Sequence, residues 1–399
     1  MARHAMTMSA GGRITEHLSI GVLARTYPRE RIREILVSTG HQSKRVRDLP
    51  SEALVYYVIA LGLFMAVSTE EVLRSLVEGL QWLGGISTKT KVAGKTAISQ
   101  ARSRLGVAPL RVLWQESATP IATEGQMGAF YRGLRLVSID GSILDVPDTK
   151  ENLAHFGRQD SSRGQAAFPQ LRFVALCENG THSIFGVRMG VYHTHELTLA
   201  AELVEELRPG MLCLADRLFP SFNLWKKAAA TGATLLWRTR SNADLPVEEV
   251  LSDGSYLSRI YLLLKDKRKK RNGLTVRVIE YELEGVEGAE PLYRLITTIL
   301  DPEQAPAQEL AALYPERWEI EITLDEFKTH MRGGQVVLRS KTPDLIEQEF
   351  YGMMLAHRAI RSLMNEAALR QNIDPDRLSF THAIRVIRRK LAATPVLSP

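Results

Sequence analysis

Tyr314-Pro-Glu-Arg317-Trp-Glu-Ile-Glu321-Ile-Thr-Leu-Asp-Glu-Phe-Lys328 is the stretch that decides how this chain is read. It spaces a tyrosine, an arginine, a carboxylate and a lysine at i, i+3, i+7 and i+14. At ~100° per residue of α-helix, Tyr314, Glu321 and Lys328 fall within roughly 40° of one another, with Arg317 one turn before Glu321. One helix face would present a carboxylate flanked by two cations and an aromatic hydroxyl, which suits a site that holds a metal ion against a phosphate. A surface i, i+4 pair accounts for Arg317 and Glu321 alone, but not for Tyr314 and Lys328 on the same face. Glu319, Asp325 and Glu326 are equally acidic, yet only Glu321 has all three partners at this spacing.

Upstream, two segments share one pattern: an apolar run, then aspartate. Leu134–Ile139 leads to Asp140-Gly-Ser, and Met211–Ala215 leads to Asp216-Arg217. Each reads as a strand that ends on a carboxylate, the place where α/β proteins expose functional groups. An aspartate there is ordinarily a turn residue, and Asp145 and Asp148 compete on the loop after Asp140. Gln170–Cys177 and Ser183–Val191 are β-rich and flank Asn179-Gly180, a hairpin signal. Helical patterns over Leu197–Leu207 and Ser221–Ala230 alternate with the strands Met211–Ala215 and Ala233–Trp237. The succession predicts an α/β sheet of three antiparallel strands, a helix, a strand, a helix and a strand. Residues 242–300 interrupt it with two strand-like runs, Val276–Leu283 and Tyr293–Leu300, and a basic turn at Lys267–Arg271.

Residues 15–118 read as helical, over Ser19–Leu36, Glu52–Val67, Thr69–Leu83 and Thr96–Leu105, with Gly84-Gly85 as a break. Ala53–Val67 is apolar throughout but short for a membrane span, so a buried helix is expected. Lys89, Lys91, Lys95, Arg102 and Arg104 give this region a basic, helix-turn-helix-like element. An exposed structural helix is the plainer alternative. Helices return at Ala307. A basic run from Arg358 through Arg361, Arg370, Arg377, Arg385, Arg388 and Arg389 to Lys390 would bind DNA, mediate dimerisation or simply form a solvated face. Net charge is +6, which mildly favours a polyanionic partner. Cys177 and Cys213 lie in apolar runs and read as buried thiols. Met1–Arg13 lacks a long apolar stretch, so no signal peptide is expected. His193 and His195 lack a third partner at zinc spacing.

Three carboxylates can hold two divalent cations for an in-line displacement at phosphorus. Hard oxygen ligands favour Mg²⁺ or Mn²⁺. Arg317 and Lys328 would grip the flanking phosphates.

The Tyr-x2-Arg-x3-Glu-x6-Lys spacing resembles the signature of the insertion-sequence-four family of bacterial transposases. Asp140-Gly-Ser and Asp216-Arg-Leu-Phe219 resemble that family's two aspartate motifs. Leu18-Ser-Ile-Gly-Val-Leu-Ala, Arg45-Val-Arg-Asp-Leu-Pro50 and Ala101-Arg-Ser-Arg-Leu105 resemble its N-terminal domain. The resemblance covers about residues 15–370. It implies a ribonuclease-H-like (retroviral-integrase-like) core over 130–241 and 301–340, with a β-rich insertion at 242–300. A helical DNA-binding domain (15–118) and a helical C-terminal region (341–399) flank it. It further implies a cytoplasmic, nucleoid-associated enzyme that binds inverted-repeat DNA ends as a homodimer and cuts and joins them with two Mg²⁺ or Mn²⁺ ions on Asp140, Asp216 and Glu321. Tyr314, Arg317, Lys328 and Arg217 would contact the DNA. Where relatives carry a base-stacking tryptophan on the insertion's last strand, this chain has Tyr293 and Arg294, whose flat π faces could take that place. The alternatives are a nuclease of the same fold without strand transfer, and a non-catalytic DNA-binding regulator.

Overall fold

Pro28 divides the first helical run. A proline cannot continue a helix and pushes the preceding residue out of the α region, so Ser19–Leu36 is two helices: α1 (His17–Thr26) and α2 (Arg29–Ser38). The computed structural model describes residues 17–43, 49–82, 93–161, 164–283, 290–332 and 337–389. Arg45–Asp48, Gly84-Gly85, Lys89, Lys91 and Lys390 lie outside them. Helices α3 (Ser51–Leu63), α4 (Thr69–Trp82), α5 (Lys95–Leu105) and α6 (Ala108–Ser117) complete the N-terminal region.

Every residue of α3 from Ala53 to Leu63 is buried, as its all-round apolar surface requires. Its partner is α13 (Pro343–Gln371), the longest helix among the described residues. The two touch through glycines: a Cβ at Gly62 would lie 2.9 Å from Met353 Cα, and one at Gly352 would lie 2.5 Å from the Val58 carbonyl oxygen. Arg102 corrects the reading of a wholly basic, exposed α5. It is buried and donates to Gln348 Oε1 (3.2 Å), Ser340 Oγ (3.1 Å) and the Leu345 carbonyl (2.9 Å). Arg104 stays exposed.

The sheet holds ten strands among the described residues. In chain order these begin with β1 (Phe130–Tyr131) and β2 (Leu134–Asp145), then α7 (Lys150–Phe156) and a separate hairpin of β3 (Asp160–Ser161) and β4 (Gly164–Gln165). There follow β5 (Gln170–Glu178), β6 (Ser183–Val191), α8 (Glu196–Leu203), β7 (Met211–Ala215), α9 (Phe222–Ala229) and β8 (Thr234–Thr239). Next come β9 (Glu249–Val250), β10 (Tyr256–Ile260), α10 (Leu264–Lys269), β11 (Leu274–Tyr281) and β12 (Tyr293–Thr297). The spatial order is β6-β5-β2-β7-β8-β12-β11-β10-β9, with β1 on β2. Strands β2, β5 and β6 are antiparallel, while β7 runs parallel to both β2 and β8. The strands of 242–300 therefore extend the central sheet beyond β8 through an antiparallel β12. The two segments expected around Asp140 are one strand, because Asp140, Gly141 and Ser142 keep pairing with Ala175, Val174 and Phe173.

After β12 come α11 (Ala307–Leu313), a 3₁₀ turn (Tyr314–Arg317), α12 (Trp318–Asp325), a π-helical turn (Glu326–His330), α13 and α14 (Phe380–Arg389). One sheet face packs on α12, α13 and the N-terminal helices, and the other on α8 and α9. Arg358 and Arg361 are core residues, which corrects the reading of a uniformly basic C-terminal surface. Arg358 donates to the Thr119 carbonyl (2.7 Å), and Arg361 pairs with Glu326 and His182. Arg388 likewise donates to the Leu63 and Met331 carbonyls (2.7 and 2.8 Å). Burial and Arg361 push His182 down, but hydrogen bonds to Asp376, Glu319 and Glu326 prevail and raise it to about 10. No described helix is long and apolar enough to cross a membrane.

Candidate active site

The parallel pairing of β2 with β7 ends at Ile139 opposite Ala215. Asp140 and Asp216 are the next residue on each strand, so the register sets the two carboxylates side by side at one sheet edge. Asp140 Oδ1 accepts the Gly141 N–H (2.7 Å), and Asp216 Oδ1 accepts the Leu218 N–H (2.8 Å). The rival aspartates are engaged elsewhere. Asp145 accepts from Gln170 Nε2 (2.9 Å), and Asp148 pairs with Arg158 (2.5 Å).

Glu321 comes from α12, whose buried residues Ile320, Thr323 and Leu324 hold it against the sheet. Arg317 ties this helix to the strands: its Nη2 is 2.7 Å from Glu321 Oε1 and its Nη1 is 3.9 Å from Asp140 Oδ2. The guanidinium is nearly buried, packs over the Trp318 ring (4.7 Å to the centroid) and leaves Nε without a partner. Burial pushes the Asp140 carboxyl up to about 7; the neighbouring Asp216 and Glu196 charges add to it, against the pull of the Gly141 N–H and Arg317. Such a cluster of like charges in a half-buried cleft is stabilised by a cation.

The structure corrects the single-face reading of residues 314–328. The segment passes from a 3₁₀ turn through α-helix to a π turn closed by Met331 N–H on the Glu326 carbonyl (2.9 Å), so the angle per residue changes twice. Tyr314 is buried and its hydroxyl donates to the Ala215 carbonyl (3.2 Å). It braces the strand end that carries Asp216. Lys328 is half-buried in the π turn, and no described residue partners its ammonium. The described donors close enough to share one ion are His182, Glu319 and Asp376, with Glu319 in the same first turn of α12 as Glu321. Asp140, Asp216 and Glu321 are more widely spaced while Arg317 holds Glu321.

Beyond Asp216 a chain of contacts leads into β12. Arg217 pairs with Glu290 (2.5 Å), Glu290 with Arg238 (2.6 Å), and Arg238 lies over the Tyr293 ring (4.4 Å). Tyr293 stacks on Tyr281 at 5.3 Å. Arg294 is engaged by Glu280 Oε1 (2.6 Å) and the Ser241 and Ala243 carbonyls (3.0 and 2.9 Å), which leaves it poorly placed to stack on a base. Trp237 is buried against Trp225. The sequence gives no sign of Arg238 or the exposed Trp318, and Glu196 reads there as a first-turn helix residue or a support to the site. The only signal for Glu196 was its place at the start of the helix after the third strand.

A family model described as "Insertion element 4 transposase N-terminal" matches residues 17–115, and one described as "Transposase DDE domain" matches residues 131–358, more than half of the chain. Transposase InsG for insertion sequence element IS4 of Escherichia coli (strain K12) is 28% identical over 376 residues, covering 93% of this chain and 82% of the relative. Putative transposase InsZ of the same organism is 26% identical over 220 residues, covering 55% of this chain and 71% of the relative. Among solved structures, the piggyBac transposase synaptic complex with hairpin DNA matches at a TM-score of 0.47 and 14% identity, covering 94% of this chain and 80% of that one. The chain belongs to the insertion-sequence-four family of DDE transposases.

Proposed function

We propose that this DNA transposase cuts and joins the inverted-repeat ends of its insertion sequence at a site built from Asp140, Asp216 and Glu321 on a ribonuclease-H-like core. The observation that carries this reading is the β2–β7 register, which puts two carboxylates at one edge, with Arg317 reaching from Asp140 to Glu321. The strand order of residues 130–239 agrees with that core. Residues 130–241 and 301–340 would form it, 242–300 the insertion, 15–118 the end-binding domain and 341–399 the C-terminal region.

The donor set is all carboxylate oxygen, which fits Mg²⁺ or Mn²⁺. Two such ions, when bound, would activate the attacking oxygen and stabilise the leaving one. The chain's own residues prepare for this. Asp140 must lose its proton to serve as a ligand. Arg317 would exchange its carboxylates for a phosphate of the DNA end, which frees Glu321 to close on the aspartates. Lys328 and Arg217 would add further phosphate contacts. Tyr314 would act through Ala215, setting the position of Asp216. Tyr293, with Arg238 on one face, would border the path of the strand being cut. The partner is double-stranded DNA, held by a homodimer.

The test is incubation of the full chain with Mg²⁺ and a duplex that carries the element's own ends. Released ends and joined product are expected. Cutting without joining would favour a nuclease, and salt-sensitive binding without cutting would favour a regulator.

A further inference from the structure

Gly141 has no room for a side chain, and what fills the room is a carboxylate. A Cβ at this position would lie 1.5 Å from Oε1 of Glu196 and 2.5 Å from its Cδ. Gly141 is not a glycine for backbone reasons: its φ is not positive, and it pairs regularly with Val174. Its missing side chain leaves a notch in β2, directly after Asp140, and Glu196 reaches into it.

Glu196 is the first residue of α8, which Leu199, Ala200 and Leu203 anchor in the core. The helix is therefore a rigid mount. An acidic residue in a first helical turn is ordinarily explained by the helix dipole, but such a residue is free to turn toward water. This one is turned onto the strand. Among the described residues its carboxylate has no hydrogen-bond or ion-pair partner. Burial raises its pKa; of its charged neighbours Arg172 acts most strongly and favours the ionised form, while Asp216 opposes it, and Glu196 in turn raises Asp140. A half-buried carboxylate without a donor, held toward two other carboxylates, is placed as a cation ligand is placed.

We propose that Glu196 is a fourth carboxylate of the active site and binds a divalent cation together with Asp140. This rests on the reading of Asp140 and Asp216 as metal ligands. Glu196 would then be a catalytic residue that the Asp–Asp–Glu pattern does not contain, and Gly141 would be required because it admits the Glu196 carboxylate.

The experiment titrates the full chain with Mn²⁺ alone and follows free Mn²⁺ by electron paramagnetic resonance, so the readout is binding and not cleavage. Glu196→Gln is expected to weaken Mn²⁺ binding by ~10-fold or more, the scale of losing a metal-site carboxylate. Gly141→Ala keeps every charge but its methyl takes the carboxylate's place, and binding should fall in the same direction. Asp216→Asn should also weaken binding. Glu202→Gln, an exposed change on the same helix, should match the parent. Circular dichroism checks folding; if Glu196→Gln does not fold, Gly141→Ala decides. Parent-like Mn²⁺ binding by Glu196→Gln and Gly141→Ala, beside a loss in Asp216→Asn, would overturn the role of Glu196 and leave the aspartate site standing. Parent-like binding by Asp216→Asn would instead overturn the site itself.

Discussion

Replacing Asp140 with asparagine should stabilise the metal-free protein even as it removes an expected ligand. Partial burial pushes the Asp140 carboxyl up to about 7 in the fold, against 3.8 for a free aspartate. Holding the ionised carboxylate in the fold at neutral pH therefore costs ~4 kcal/mol. A carboxyl with a raised folded pKa contributes its stability below 3.8 and loses it as pH rises through about 7. Asparagine has no charge to hold, and its amide oxygen can still accept the Gly141 N–H. The side chain is only a fifth exposed (21%), so solvent screens little of the effect. The advantage of Asp140→Asn should be ~0.5 kcal/mol near pH 4, ~2 kcal/mol near pH 5.5 and ~4 kcal/mol above pH 7. At ~2–4 °C per kcal/mol, the melting temperature in EDTA should rise by about 8 °C or more at pH 8. Added Mg²⁺ should raise the melting temperature of the parent more than that of the variant. Calorimetric melts of both proteins, in EDTA, across this pH range make the test. Equal melting at every pH would refute the claim that Asp140 sits in a repulsive, half-buried cluster.

Other outcomes follow from particular contacts. Tyr314→Phe removes the hydrogen bond to Ala215 and should cost ~1 kcal/mol in denaturant unfolding, with a larger proportional loss of cleavage rate because Asp216 loses its brace. Arg361→Leu removes the nearest partner of buried Glu326, leaving His182 and His357, and should cost ~3 kcal/mol in the same assay. His182 is raised to about 10, so its stabilising charge is fully present below its unfolded pKa of 6.5. Unfolding free energy measured by denaturant titration should therefore fall as pH climbs through about 10.

Much of this architecture is legible in the chain because strands announce themselves by apolar runs and carboxylate ends. The two runs before Asp140 and Asp216 mark both strands, but β2 continues to Asp145, so the shared place of the two aspartates is where the β2–β7 pairing stops, not where both strands end. Other features depend on distant partners. The π turn at Glu326–His330 places Glu326 where Arg361 and His182 can hold it, and no local pattern encodes that. Arg102, Arg358 and Arg361 read as surface charge because burial is invisible in a single long polar side chain. Tyr314 looked like a ligand-facing hydroxyl, and only the folded chain shows it turned inward onto Ala215. Glu196 depends on the side chain that Gly141 lacks, a relation between residues 55 positions apart.

The central claim is that Asp140, Asp216 and Glu321 together perform the cutting. The most direct measurement is cleavage of a duplex bearing the element's own ends by Asp140→Asn, Asp216→Asn and Glu321→Gln, each scored beside end binding by gel shift. Each variant should bind the ends and leave them uncut in Mg²⁺. Parent-level cleavage by any of the three, Glu321→Gln above all, would contradict the assignment.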